Sequence, residues 1–96
     1  MKITSTKISG LKIIKSKIHS DKRGYFKEDF KKKYFNNMNF VFCCTSKSKK
    51  NVIRGLHIQT KFSQGKYVSI LKGSIFDVVV DLRKNSRTFG KHFKII

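Results

Sequence analysis

Arg54-Gly55-Leu56-His57 and, further along, Gln64-Gly65-Lys66 place a guanidinium, an imidazole and an ammonium in one short stretch of chain. Removing a proton beside a ketone needs a base and, where enolate charge develops, a cation or hydrogen-bond donor. His57 suits the first role and Lys66 the second. Arg54 adds a planar fork that grips phosphate through two parallel hydrogen bonds and never loses its charge. A phosphorylated carbonyl compound fits all three groups. The competing reading is structural, because a lone histidine in a strand is more often a hydrogen-bonded framework residue than a catalyst.

The elements that must position these groups read mostly as strands. Apolar and polar residues alternate over 3–8 and 11–18 around Gly10, residues 19–24 read as a turn, and 25–30 as a short strand. Residues 30–38 are the one helix candidate, with Phe30, Tyr34 and Phe35 on one side and lysines on the other; a solvated loop explains them equally well. Strands are expected over 40–46, 52–59, 66–71 and 74–82, with Lys72-Gly73 as a two-residue hairpin signal between the last two. Successive antiparallel strands with few helical segments indicate an all-β barrel or sandwich. Strict alternation over 52–59 sends Arg54 and His57 to opposite faces. A bulge at Gly55 would reconcile them, since glycine tolerates the dihedrals that bulges require.

Composition sets the outer bounds. A chain of 96 residues is at most one domain, and at this size it buries only roughly 60 to 68 percent of its unfolded surface. No apolar run reaches the ~18 residues of a membrane span. The start, Met1-Lys2-Ile3-Thr4-Ser5-Thr6-Lys7, lacks the apolar core of a secretory signal, so a cytoplasmic location is expected. Cys43 and Cys44 are adjacent, which suits neither a zinc knuckle nor a redox pair, and they read as reduced, half-buried strand residues. Lys and Arg total 23 against five acids, a net charge of +18 that would suit a polyanion. Its distribution argues against nucleic acid: the excess is lysine scattered from Lys2 to Lys94, with short clusters only at Lys31-Lys32-Lys33 and around Lys47-Ser48-Lys49-Lys50. Abundant Lys, Ile, Phe and Asn also match the coding bias of an AT-rich genome.

Several motifs in register carry a family resemblance. Asp21-Lys22-Arg23-Gly24-Tyr25-Phe26-Lys27-Glu28, Arg54-Gly55-Leu56-His57, Gln64-Gly65-Lys66, Phe76-Asp77-Val78-Val79-Val80-Asp81-Leu82-Arg83 and Thr88-Phe89-Gly90-Lys91 follow one another in an order that resembles dTDP-4-dehydrorhamnose 3,5-epimerase. The resemblance implies a cupin-type jelly-roll barrel, here its N-terminal half with at most one short helix, as a single partial domain over residues 1–96. It implies that His57 removes protons at C3 and C5 of a 4-keto-6-deoxy sugar nucleotide, in deoxysugar synthesis for surface polysaccharide. Lys66 would stabilise the enolate, Arg54 would contact the substrate, and Arg23 and Glu28 would contact the nucleotide sugar across a homodimer. It implies no metal and no organic cofactor, and His19, His57 and His92 stand too far apart in sequence for a dense ligand set. His19 and His92 read as surface or loop residues.

The chain departs from the family pattern in three places. Phe42-Cys43-Cys44 stands where the family has Gln-Asp-Asn among its nucleotide contacts, which leaves the nucleotide open. The segment Thr60-Lys61-Phe62-Ser63 is shorter than usual and has no proline. The chain stops at Ile95-Ile96 inside what reads as another strand, whereas the family's general-acid Tyr and the Asp that orients its histidine lie beyond that point. Asp77 and Asp81 are read as structural carboxylates and not as replacements for the missing Asp. Low activity or none is expected of this chain alone. Two alternatives therefore stand beside the epimerase: a non-catalytic sugar-nucleotide or polyanion binding module, and an inactive truncated remnant.

Overall fold

Alternation becomes pairing first at the N-terminus. In the computed structural model, which describes every residue except Asn36, strands β1 (Lys2–Ser5) and β2 (Lys12–Lys15) run antiparallel, with Ile3 opposite Ile14 and Thr4 opposite Ile13. The connecting loop is tied by one side chain. The Thr6 hydroxyl lies 3.2 and 3.0 Å from the carbonyls of Ile8 and Leu11 and accepts the Ile8 N–H at 3.2 Å. That knot tucks Ile8 inside, where it is 4% exposed.

The second hairpin joins β3 (Ile18–Asp21) to β4 (Gly24–Lys27) through Lys22 and Arg23 alone. Asp21 shapes this turn because its Oδ1 accepts the Arg23 backbone N–H at 2.8 Å, a local side-chain bond that competes well against a longer loop. Gly24 follows with φ +134°, a value that a side chain disfavours. The expected turn over 19–24 is thus narrowed to two residues, and His19 pairs with Phe26 inside the ladder.

The third hairpin pairs β5 (Asp77–Val80) with β6 (His92–Ile95), Val79 opposite Phe93 and Val80 opposite His92. These three two-stranded sheets make the molecule all-β, with one 3-10 turn, Lys32–Tyr34, and no closed barrel among the described residues. The helix expected over 30–38 shrinks to that turn; Asn36 lies outside the described residues. Its start has neither a side-chain cap nor an acid in the first turn, while lysines crowd it, so nothing offsets the orphan N–H groups.

Residues 40–46, 52–59 and 66–71 carry strand-like patterning but enter no ladder. A strand is stabilised by its cross-strand neighbours more than by its own propensity, and these segments have none. The same absence corrects the reading of the cysteines, since Cys43 and Cys44 are free and exposed. Apolar cover is sparse throughout: Ile53, Phe62 and Val41 are 91%, 90% and 81% exposed. No helix among the described residues is long and apolar enough to cross a membrane.

The chain divides into two compact units, one formed by Met1–Phe30 with Ser69–Ile96 and the other by Lys31–Val68. The first unit contains all three hairpins and is organised around Asp81. Asp81 is 4% exposed and sits where β5 leaves its ladder. Its Oδ1 accepts the Arg83 N–H at 3.1 Å and Nε–H at 2.9 Å, and its Oδ2 accepts Arg83 Nη2 at 3.0 Å, the Ser86 hydroxyl at 2.5 Å and the Thr88 hydroxyl at 2.6 Å. Its backbone closes the same loop, donating to Lys91 at 2.9 Å and accepting from Gly90 at 2.7 Å. Asp77 opens β5 four residues earlier, half-buried.

This donor set, with the Arg83 guanidinium foremost and the Ser86 and Thr88 hydroxyls after it, holds the Asp81 carboxyl far below the usual carboxylate range, against the opposing effect of burial. A carboxyl whose pKa falls on folding adds stability that is complete above its unfolded value, about 4, and is lost as pH drops below it. Thermal melts between pH 7 and pH 2 will therefore show Tm declining below about pH 4. Asp81→Asn will lower Tm at neutral pH and shrink that acid-side decline, because the amide cannot accept every donor that the carboxylate does. An unchanged acid limb in the variant would show that other carboxylates carry it.

Candidate functional site

The three residues read as a proton-transfer set all fall in the second unit, Lys31–Val68. What organises this unit is aromatic. Phe35 meets Phe40 at 5.2 Å between ring centroids and Tyr67 at 5.0 Å, both edge-on, and Phe40 meets Tyr67 at 6.4 Å. Edge-to-face packing of this kind adds stabilisation beyond the area it buries. Both neighbours of Lys66 are packed, since Tyr67 is one of these rings and Gly65 lies under the Met38 side chain, whose Cε would be 2.5 Å from an added Cβ. Lys66 itself is exposed.

Arg54 is held by a different contact. Its Nε donates to the Ser48 hydroxyl at 2.7 Å and its Nη2 to the Lys47 carbonyl at 3.1 Å. The guanidinium is thereby folded onto the Lys47-Ser48-Lys49-Lys50 run, with Nη1 left for another acceptor. Nothing in the residue pattern signals this contact beyond the closeness of the two segments along the chain.

His57 is exposed and lies against Gly55. A Cβ at Gly55 would stand 3.0 Å from His57 Nδ1 and 3.2 Å from His57 N. Gly55 has φ +97°, and no ladder runs through it, so the irregularity expected there takes the form of a left-handed residue in an unpaired segment and not of a bulge. Among the described residues no hydrogen bond links Arg54, His57 and Lys66 to one another.

Arg23 and Glu28 belong to the first unit. Arg23 turns its fork onto Asp21, with Nη2 2.7 Å from Oδ2 and Nε 3.3 Å from the same oxygen. That pair is open to solvent, so screening leaves it little strength, and the Asp21 carboxyl is held below its usual range by this same arginine. The opposite edge of the guanidinium stays open to a second anion. Glu28 uses its backbone carbonyl to accept the Ser16 hydroxyl at 2.6 Å, which ties β2 to the end of β4. Among the described residues no three His, Cys, Asp or Glu side chains gather as a metal-holding group.

Gly55 is the position at which this geometry is most easily tested. Gly55→Ala will cost about 1–2 kcal/mol in the left-handed region, or push the His57 ring aside. Long-range nitrogen–proton NMR of the imidazole will therefore change in Gly55→Ala. It will stay the same in Gly73→Ala, where φ is +85° but nothing lies within 4 Å. Equal imidazole spectra in both variants would separate Gly55 from the placement of His57.

Comparison with known proteins agrees with the motif order. The family model described as dTDP-4-dehydrorhamnose 3,5-epimerase matches residues 5–96. Curated relatives with that name include one from Methanothermobacter thermautotrophicus, 44% identical over 90 residues, which is 90% of this chain and 49% of the relative. Another, from Shigella flexneri, is 43% identical over 97 residues, covering 95% of this chain and 54% of the relative. A third, from Escherichia coli, is 39% identical over 97 residues, covering 95% and 52%. The chain spans about half the length of these relatives. No solved structure matches it. With nearly its whole length matched, the chain belongs to the dTDP-4-dehydrorhamnose 3,5-epimerase family.

Proposed function

We propose that this chain supplies the proton-abstracting part of a dTDP-4-dehydrorhamnose 3,5-epimerase, acting in the cytoplasm as one partial domain and in a homodimer. Its substrate would be a 4-keto-6-deoxy sugar nucleotide, and its product would feed rhamnose-type deoxysugars into surface polysaccharide. The observation that carries the reading is the presence of Arg54, His57 and Lys66 in one unit, each exposed, with Lys66 next to Tyr67 of the Phe35, Phe40 and Tyr67 cluster. The names of the matched relatives support it.

The chemistry follows from the residue types. A proton on carbon beside the 4-keto group leaves to the His57 imidazole, and its electron pair moves onto the ketone oxygen as enolate. The Lys66 ammonium stabilises that charge by electrostatic attraction and hydrogen bonding. The enolate electron pair then returns to carbon and takes a proton from solvent water on the opposite face, which inverts the centre, at C3, at C5 or at both. Arg54 is suited to a phosphate of the substrate, where guanidinium contact is strong, and Arg23 would contact the nucleotide sugar across the dimer. Glu28 would meet the nucleotide sugar across the dimer.

One observation favours a second reading, that of a non-catalytic sugar-nucleotide binding module or an inactive remnant. Among the described residues His57 has no carboxylate partner to orient its ring. Deuterium uptake at C3 and C5 of the sugar nucleotide in heavy water separates the readings. On the epimerase reading, His57→Ala lowers the exchange rate by about 10²–10⁴-fold, and Lys66→Met by about 10²–10³-fold. Exchange that continues unchanged in His57→Ala would remove the base role from this residue. Binding of the sugar nucleotide without any exchange would establish the module instead.

A further inference from the structure

The first unit holds a cationic cavity that the proton-transfer reading leaves unused. It has a volume of about 500 Å³, and Lys7 and Ser9 from the β1–β2 loop line it together with Arg83, Asn85 and Arg87 from the β5–β6 loop. Ser86 and Thr88 complete the wall. We propose that this cavity is a binding site for a small phosphate-bearing molecule.

The donors are already arranged for an anion. Asp81 takes Nε and Nη2 of Arg83, at 2.9 and 3.0 Å, which fixes the guanidinium plane and leaves its Nη1 edge unoccupied by that carboxylate. Nη1 lies 3.9 Å from the position of a Cβ at Gly10, beside the loop that bears Lys7 and Ser9. The Ser86 and Thr88 hydroxyl protons are committed to Asp81, so these two act as wall and not as donors. Lys7, Ser9, Arg83, Asn85 and Arg87 remain to bind a ligand.

Charge decides the ligand class. No acid lines the cavity, and among the described residues neither Lys7 nor Arg87 has an acidic partner. Asp81 beneath it is already matched by Arg83, so the charges of Lys7 and Arg87 stand uncompensated. Two to three cations converging with neutral donors suit a phosphate dianion or a diphosphate better than a single carboxylate, because each added oxygen finds a charge-assisted hydrogen bond. The volume falls within the range of about 300–1,000 Å³ typical of small-molecule clefts.

The test compares two double variants that lose the same charge. Lys7→Gln with Arg87→Gln changes two exposed side chains at the cavity, and Lys49→Gln with Lys50→Gln changes two exposed side chains of the other unit. Inorganic pyrophosphate is titrated into each and into the parent chain by calorimetry at about 0.15 M salt, where long-range attraction is screened, with amide NMR locating the response and Tm checking the fold. The cavity variant is expected to bind about tenfold more weakly or worse, the control to change by less than about twofold, and the amide shifts to centre on residues 83–88. Equal losses in both variants, or shifts centred elsewhere, would overturn the proposal by reducing the binding to general attraction. Adenosine diphosphate then distinguishes the sources: tighter binding than pyrophosphate, still dependent on Lys7 and Arg87, assigns a nucleotide, and equal binding assigns free polyphosphate.

Discussion

One buried carboxylate organises the first unit. Asp81 joins the end of β5 to the loop that returns into β6, and it does so by collecting a guanidinium, two hydroxyls and a backbone N–H on two oxygens. An ionised carboxylate removed from water is tolerated only when its lone pairs are filled by donors, and here they are. The constraint works outwards. Ser86 and Thr88 are positioned because their protons go to Asp81, and Arg83 is rigid because its fork is held, so the wall of the neighbouring cavity derives from the same charge. Where Ile8 is the one buried apolar side chain among the described residues, a polar hub of this sort carries organisation that a larger hydrophobic core supplies elsewhere.

The same local grammar occurs twice with different results. Asp21-Lys22-Arg23 and Asp81-Leu82-Arg83 both set a carboxylate two residues before an arginine, and in both the Asp accepts the Arg backbone N–H and its side-chain fork. What differs is water. The Arg23 pair is open to solvent, with side chains 90% and 54% exposed, whereas the Asp81 side chain is 1% exposed. The first therefore shapes a two-residue turn and leaves a guanidinium edge open for an anion, and the second locks an eleven-residue loop spanning Asp81 to Lys91.

How much of this the sequence disclosed depends on the range of the interaction. The all-β class, the first hairpin and the strand before Asp81 were readable, because alternation and turn chemistry are local signals; so was the structural role of Asp81 itself. Residues 52–59 and 66–71 have the same alternation and form no ladder, and Gly73 has its turn-like φ of +85° with no strand on either side. Propensity cannot say whether a partner strand will be present. The candidate site was legible as residue types and spacing, but not its surroundings: the folding of Arg54 onto Ser48, and the packing of rings 35, 40 and 67 beside Lys66, join residues through contacts that no periodicity encodes.

Those contacts also bear on the charge of the chain. A net +18 made of scattered lysines reads as coding bias when viewed along the sequence. In the folded units the cations are less scattered than that. Arg54 is bonded to the carbonyl of Lys47 within the 47–50 run, and Lys7 meets Arg83 and Arg87 around one cavity. Like charges held together repel, and the arrangement becomes favourable when an anion lies between them. Coding bias can raise the number of lysines, but it does not tie an arginine to a lysine run through a hydroxyl and a carbonyl. These two local arrangements are set by hydrogen bonds and loop geometry, which composition alone does not specify.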